Sequence, residues 1–259
     1  MTLDVTPVED GAVLRLTLNA PKGNVVDGAI IAALRKAFQG AVTSPALRAV
    51  VIDATGKDFS WGASVEEHRP EHCAAMLSSL HGLVYEMLEL PLPVLVAVQG
   101  RCLGGGLELA LAGSRIIASP TALLGQPEIK LGVFAPAGSA LLAERIGPAA
   151  AEDMLLTGRT VNAEEALRRG LVDEVCAADT TPYDAAIAWA KKYLFEQSRS
   201  ALRFATKAAR LFRSAAAKER LVALEKLYLD ELMKSADAKE GIAAFIDKRS
   251  PKWTHELPH

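Results

Sequence analysis

The run PVLVAVQG (residues 93–100) is apolar and β-branched with no polar alternation, the pattern of a strand covered on both faces. It leads within a few residues into CLGGGLELALAGS (102–114), where three glycines open a second apolar run that reads as a helix. A doubly buried strand feeding a helix demands a layered α/β fold. The same succession recurs along the chain. LRLTLN (Leu14–Asn19) alternates as a half-buried strand, PKGNVVD turns the chain, and GAIIAALRKAF reads as a helix. LRAVVIDATG is a strand ending at glycine, and Met76, Leu80, Leu83, Val84, Met87 and Leu88 fall at helical spacing. RIIAS and ALLGQPE follow as short extended pieces. Strand–strand–helix units of this kind predict a wound α/β domain of parallel strands, without a fixed-period repeat.

Past Tyr193 strand signals vanish. ALRFATKAARLF and ERLVALEKLYLDELMKS are helical with apolar stripes that include Leu221, Leu224 and Tyr228. The expected division is therefore an α/β core over 1–195, holding the active site, and a helical region over 196–259. The apolar stripes of that region must pack on its own core or on another subunit.

A chain of 259 residues, 50% hydrophobic and 23% charged, has ample material for a core. A net charge of −2 offers no general attraction for nucleic acid or an anionic membrane. Any anionic ligand must be held by local cations or backbone amides. MTLDVTPVED lacks the basic and apolar blocks of a signal peptide, and the longest run without Asp, Glu, Lys or Arg, His72–Tyr85, is too short to cross a bilayer. The three cysteines are scattered and odd in number, forming no disulfide framework and no CxxC pair. A cytoplasmic protein is expected.

Glu108 is the residue that composition does not explain, being a lone charge among Leu107, Leu109, Ala110, Leu111 and Ala112. Glutamate is rarely buried unless paired or working, although a glutamate near a helix start also suits the helix dipole while pointing at water. The glycines upstream leave backbone N–H groups free around a small space, which suits phosphate binding or stabilisation of an oxyanion. No Gly-Lys-Ser/Thr follows, and GGGLEL does not match GxGxxG, so neither a P-loop nor a dinucleotide fingerprint is present. A carboxylate beside an oxyanion hole suits proton chemistry next to a carbonyl. Glu128, in GQPEIKLG, is a solvent-facing loop acid or the second member of an acid–base pair. In FSWGAS, Gly62 and Ala63 allow an amide to approach a ligand closely, or form an ordinary turn. His68 and His72 have a metal-like spacing, but Pro70 lies between them and no third ligand stands nearby, so no metal site is expected. Ser60, Ser64 and Ser139 lack a G-x-S-x-G context.

Together, FSWGAS, CLGGGLELA, GQPEIKLG and the late AFIDKR resemble the enoyl-CoA hydratase/isomerase, or crotonase, superfamily over nearly the whole chain. That resemblance implies a spiral of ββα units with a C-terminal helical oligomerisation region, building homotrimers or dimers of trimers. It implies an acyl-CoA thioester as substrate and no cofactor, CoA being part of the substrate. The backbone amides of Ala63 and Gly105 match the oxyanion hole, and Glu108 and Glu128 match the two acids that hydratases of the family use. Lys22 lies where the family contacts the CoA nucleotide, in a segment one residue shorter than usual. Phe245 and Lys248 match positions that reach CoA from the tail. Isomerases of the superfamily work with one acid, here Glu128, so two retained glutamates favour hydration.

Two departures narrow the resemblance. WGASV stands where AGADI is common, bringing Trp61 and Ser64, and VFAPAGSALL replaces the usual PGxGG, bringing Phe134. In these places, and in the late LYLDELM, the chain resembles the cyclohexa-1,5-diene-1-carbonyl-CoA hydratases of anaerobic benzoyl-CoA breakdown. The implied reaction is 1,4-type addition of water, giving 6-hydroxycyclohex-1-ene-1-carbonyl-CoA. Trp61 and Phe134 are then expected to shape a pocket for a flat ring, with a core role as the alternative for each. A general short-chain 2-enoyl-CoA hydratase would use the same acids with a different pocket.

Overall fold

The computed structural model describes residues 2–256. It opens with a feature the sequence pattern did not announce, a hairpin in which β1 (Leu3–Val8) pairs antiparallel with β2 (Val13–Leu18). Glu9, Asp10 and Gly11 turn it with positive φ throughout. A one-turn segment α1 (Pro21–Asn24) precedes α2 (Gly28–Thr43), whose first turn is capped by the Asp27 carboxylate on Ile30 N–H at 2.9 Å. Then come β3 (Ala49–Ala54), α3 (Cys73–Glu89), β4 (Val94–Val98), β5 (Arg101–Leu103) and α4 (Gly105–Leu111). The core continues through β6 (Arg115–Ala118), β7 (Leu123–Gly125), α5 (Pro136–Ile146), α6 (Pro148–Thr157), β8 (Thr160–Asn162), α7 (Ala163–Arg169), β9 (Glu174–Val175) and α8 (Pro182–Tyr193). Two helices, α9 (Arg199–Asp230) and α10 (Ala236–Ile246), complete the described chain.

The strands form a six-stranded sheet in the order β1-β2-β3-β4-β6-β9, parallel from β2 onward. A smaller sheet, β5-β7-β8, stands apart from it. The period-2 alternation of a strand explains why β4, and β3 up to Asp53, read as apolar runs. Val50, Ile52, Val94 and Val96 face the main core with α2 and α3, while Val51 and Leu95 face Ala186 and Ala190 of α8. Covering both faces leaves no polar position in β4 and only Asp53 in β3, where Arg15 and Thr17 hydrogen-bond its carboxylate.

The helical tail packs on its own core. Arg210 of α9 is buried and donates to Met87 O at 3.1 Å, Leu90 O at 2.9 Å and Ser114 Oγ at 2.5 Å, tying α9 to the end of α3 and to the loop after α4. α10 lies against the 3-10 turn Glu128–Leu131 so closely that the Leu131 carbonyl leaves no room for a methyl group at Gly241. Phe204, Leu211, Phe212 and Val222 of α9 nonetheless remain exposed. No helix among the described residues is long and apolar enough to cross a membrane.

Candidate active site

The site forms where the loop after β3 meets the start of α4. Ala63 makes a parallel bridge with Val26, in which Val26 donates to Gly62 O at 2.8 Å and accepts from Ser64 N at 3.3 Å. In that arrangement the flanking residues turn their backbone groups to Val26 and Ala63 turns its own N–H the opposite way. Gly105 lies on that side: a methyl group there would come within 2.9 Å of the Ala63 nitrogen. As the first residue of α4, Gly105 has no intrahelical acceptor for its N–H. Among the described residues neither amide finds an acceptor, so two N–H donors stand unpaired side by side.

Ser60 holds this arrangement in place. Its buried hydroxyl donates to Asn24 O at 2.8 Å and accepts from Gly62 N at 3.1 Å, while Asn24 reaches Thr55 O and Asp58 O with its amide nitrogen. The backbone entering Ala63 is therefore fixed before any ligand arrives. Gly104 has φ +47° and presses on the Glu128 carboxylate, so a side chain there would meet both backbone strain and the acid itself.

Glu108 is 3% exposed, in a helix buried along its whole length. Its Oε1 accepts from Gly138 N at 2.7 Å, and Gly138 is the third residue of α5. The segment VFAPAGS thus brings the open N-terminal turn of α5 to the acid, with Pro136 at a position where no N–H is needed. Burial raises the pKa of Glu108, against the pull of the Gly138 amide, His81 and the Ala137 amide. Glu128, half-buried at the start of its 3-10 turn, is pushed up to about 8, first by burial and then by the Glu108 charge. Two carboxylates with raised pKa, each feeling the other, share protons instead of both ionising. The Gln126 amide, with its nitrogen turned toward the acid, donates to the two Glu128 oxygens at 3.3 and 3.1 Å.

Behind the acids stand polar groups that the sequence reading did not single out. His81 of α3 sets Nδ1 2.8 Å from Glu225 Oε2 of α9, and its Nε2 is buried without a partner. Tyr228, one turn beyond Glu225, is fully buried and also lacks a hydrogen-bond partner for its hydroxyl. Gln126, His81 and Tyr228 were visible only as polar atoms inside apolar surroundings, since their partners lie far away in the chain.

The expected peripheral residues take distinct places. Phe134 packs edge-on against Tyr228, with ring centroids 5.2 Å apart, against the core cluster that holds Cys73, Met76 and Val133. Trp61 is 48% exposed, lies against Gly23 and donates from Nε1 to Asp58 Oδ2 at 2.8 Å. Lys22, beside Gly23, is exposed, with φ +61°. The Ser64 hydroxyl accepts from Glu67 N at 3.4 Å and so caps the turn Glu66–His68. His68 Nδ1 is engaged by Ser64 O at 2.7 Å. Phe245 and Lys248 are exposed at the end of α10, beyond the contact with the Glu128 turn.

Residues 9–256 match the family model described as enoyl-CoA hydratase/isomerase. The chain is 54% identical over 244 residues to the cyclohexa-1,5-dienecarbonyl-CoA hydratase of Thauera aromatica, covering 94% of this chain and 93% of that one. It is 36% identical to a probable enoyl-CoA hydratase of Mycobacterium bovis, covering 98% of this chain and 100% of the other. A crystal structure of an enoyl-CoA hydratase/isomerase from Pseudoalteromonas atlantica superposes with a TM-score of 0.86 at 28% identity, over 98% of this chain and 100% of that one. With the sheet order, the paired amides and the two acids in view, the chain belongs to the enoyl-CoA hydratase/isomerase family.

Proposed function

We propose that the protein is a hydro-lyase that adds water to cyclohexa-1,5-diene-1-carbonyl-CoA, giving 6-hydroxycyclohex-1-ene-1-carbonyl-CoA. The observation that carries the hydratase reading is the meeting of buried Glu108 and half-buried Glu128, both with raised pKa, with two unpaired backbone N–H groups. The ring as substrate is supported by the 54% identity to the Thauera aromatica hydratase.

The thioester oxygen takes hydrogen bonds from Ala63 and Gly105, which strengthen as negative charge gathers on it. Glu108, whose charge the α5 amides favour, removes a proton from water as the oxygen bonds to ring carbon 2, the position conjugated to the thioester. Electrons shift through carbon 1 into a dienolate that extends over carbons 6 and 5. Glu128, held protonated, gives its proton to carbon 5. One proton enters the acid pair and one leaves it, so the step is balanced and redox-neutral and requires no cofactor.

Trp61, Ser64 and Phe134 border the acyl group in this reading, with Lys22, Phe245 and Lys248 toward the CoA moiety. The exposed Phe204, Leu211, Phe212 and Val222 of α9 support a homotrimer or a dimer of trimers. Three free, buried cysteines suit a reducing cytoplasm. The test is paired turnover of cyclohexa-1,5-diene-1-carbonyl-CoA and crotonyl-CoA at equal enzyme. Faster hydration of the ring is expected; faster hydration of crotonyl-CoA would replace this reading with a general 2-enoyl-CoA hydratase.

A further inference from the structure

Tyr228 poses a problem of its own. It is 0% exposed, and its hydroxyl has no hydrogen-bond partner among the described residues. An unpaired buried hydroxyl costs about 1–3 kcal/mol, and a phenylalanine would avoid that cost with the same ring. The ring is well held without the oxygen: it packs edge-on against Phe134 and among Cys73, Met76, Leu77 and Val133. Its ring partner Phe134 follows Val133, whose N–H donates to Glu128 O at 3.3 Å, so the ring stands beside the turn that carries Glu128. Burial, with the charges of Cys73, Glu128 and Glu108, keeps the hydroxyl protonated. A buried oxygen that costs stability when unpaired, beside the turn that carries Glu128, calls for a partner supplied at the site.

The chemistry of the substrate limits what that partner is. The acyl group is a hydrocarbon apart from its thioester, and the thioester oxygen belongs to Ala63 and Gly105. The one remaining polar atom in the reacting complex is the oxygen of the water that adds. We infer that Tyr228 is the second ligand of the nucleophilic water, its phenol oxygen accepting the hydrogen that stays on that oxygen while Glu108 takes the hydrogen that leaves. With both hydrogens fixed, a lone pair is directed at the acyl carbon. No proton passes to or from Tyr228; the hydrogen it holds becomes that of the product hydroxyl. This role presupposes water addition to a hydrocarbon acyl group, the reading proposed above.

The test is Tyr228→Phe, assayed with cyclohexa-1,5-diene-1-carbonyl-CoA and with crotonyl-CoA beside the wild type, together with thermal melting of the free proteins. The expected result is a loss of about 10-fold or more in kcat with KM within about twofold of wild type, as for a hydrogen bond made to the water in the transition state. The melting temperature of the free variant should be equal or higher, since no protein partner is lost. A kcat within twofold of wild type, or a lowered melting temperature showing that the hydroxyl was held within the fold, would overturn the role. Wild type that hydrates crotonyl-CoA but not the ring would sink the ring reading alone, because the tyrosine is still judged on crotonyl-CoA. Wild type that hydrates neither would sink both.

Discussion

Glu108 Oε1 accepts a hydrogen bond from the Gly138 amide at 2.7 Å, so the acid of one helix is held by the open N-terminal turn of another. The contact favours the charged form against the upward push of burial, in keeping with the base role proposed for Glu108. Glu108→Gln keeps an oxygen for Gly138 but cannot take a proton. Its kcat should fall by about 10²–10⁴-fold while the affinity for a CoA thioester, measured by calorimetry, stays near wild type. A mild loss would favour an isomerase that works through Glu128.

Proton sharing sets the pH dependence. With Glu128 at about 8, the proton it must give is lost as pH rises through that value, so kcat/KM should fall on the alkaline side. On the acid side it should fall as Glu108 takes up its proton. Steady-state rates on the wild type from pH 5 to 10 should trace a bell; an alkaline limb above pH 10 would contradict the assignment.

The same shift makes a statement about stability. Because the folded pKa of Glu128 lies above the ordinary 4.5, its contribution is full below 4.5 and is lost as pH rises through about 8. Glu128→Gln, always neutral, escapes that loss. Its melting temperature should match wild type near pH 4 and exceed it by at least about 2–4 °C at pH 9, the shift for ~1 kcal/mol in a chain of this length.

Ser60 supports the oxyanion amides from behind. Ser60→Ala leaves Gly62 N–H and Asn24 C=O unpaired in a buried place, which should cost about 1–3 kcal/mol of stability. Looser amides at Ala63 should lower kcat by roughly 10-fold with little change in KM. An unchanged kcat in a less stable protein would confine Ser60 to the fold.

Hydration in D₂O distinguishes the 1,4 route from simple addition next to the carbonyl. Protonation at carbon 5 places one deuterium at carbon 3 of the renumbered product, across the ring from the hydroxyl. NMR of the isolated product should show it there and at no other ring carbon.

Much of the fold was legible because burial leaves a mark on local sequence. The unbroken apolar run of β4 announced a strand covered on both faces, and α2, α3 and α9 announced themselves by spacing. β1 was not legible: Val5 is half-exposed and Pro7 falls within the strand, so LDVTPV carries little alternation. In the site, Glu108 stood out as a charge in an apolar run, and the glycines gave away the amides. What Glu108 touches did not stand out, because Gly138 acts through its backbone, which every residue has. Gln126, His81 and Tyr228 depend on contacts between distant elements, such as the 144 residues separating His81 from Glu225, and local pattern carries no record of those.

The close seating of α10 on the turn that carries Glu128 ties occupancy of the site to docking of the tail. A ligand that settles the acid must also settle α10, by the reciprocity of linked equilibria. Cleavage in the connector around Ser235 should therefore be slowed by bound thioester, and a nicked chain should bind thioester more weakly. The last helix is in this sense a reporter of whether the site is filled.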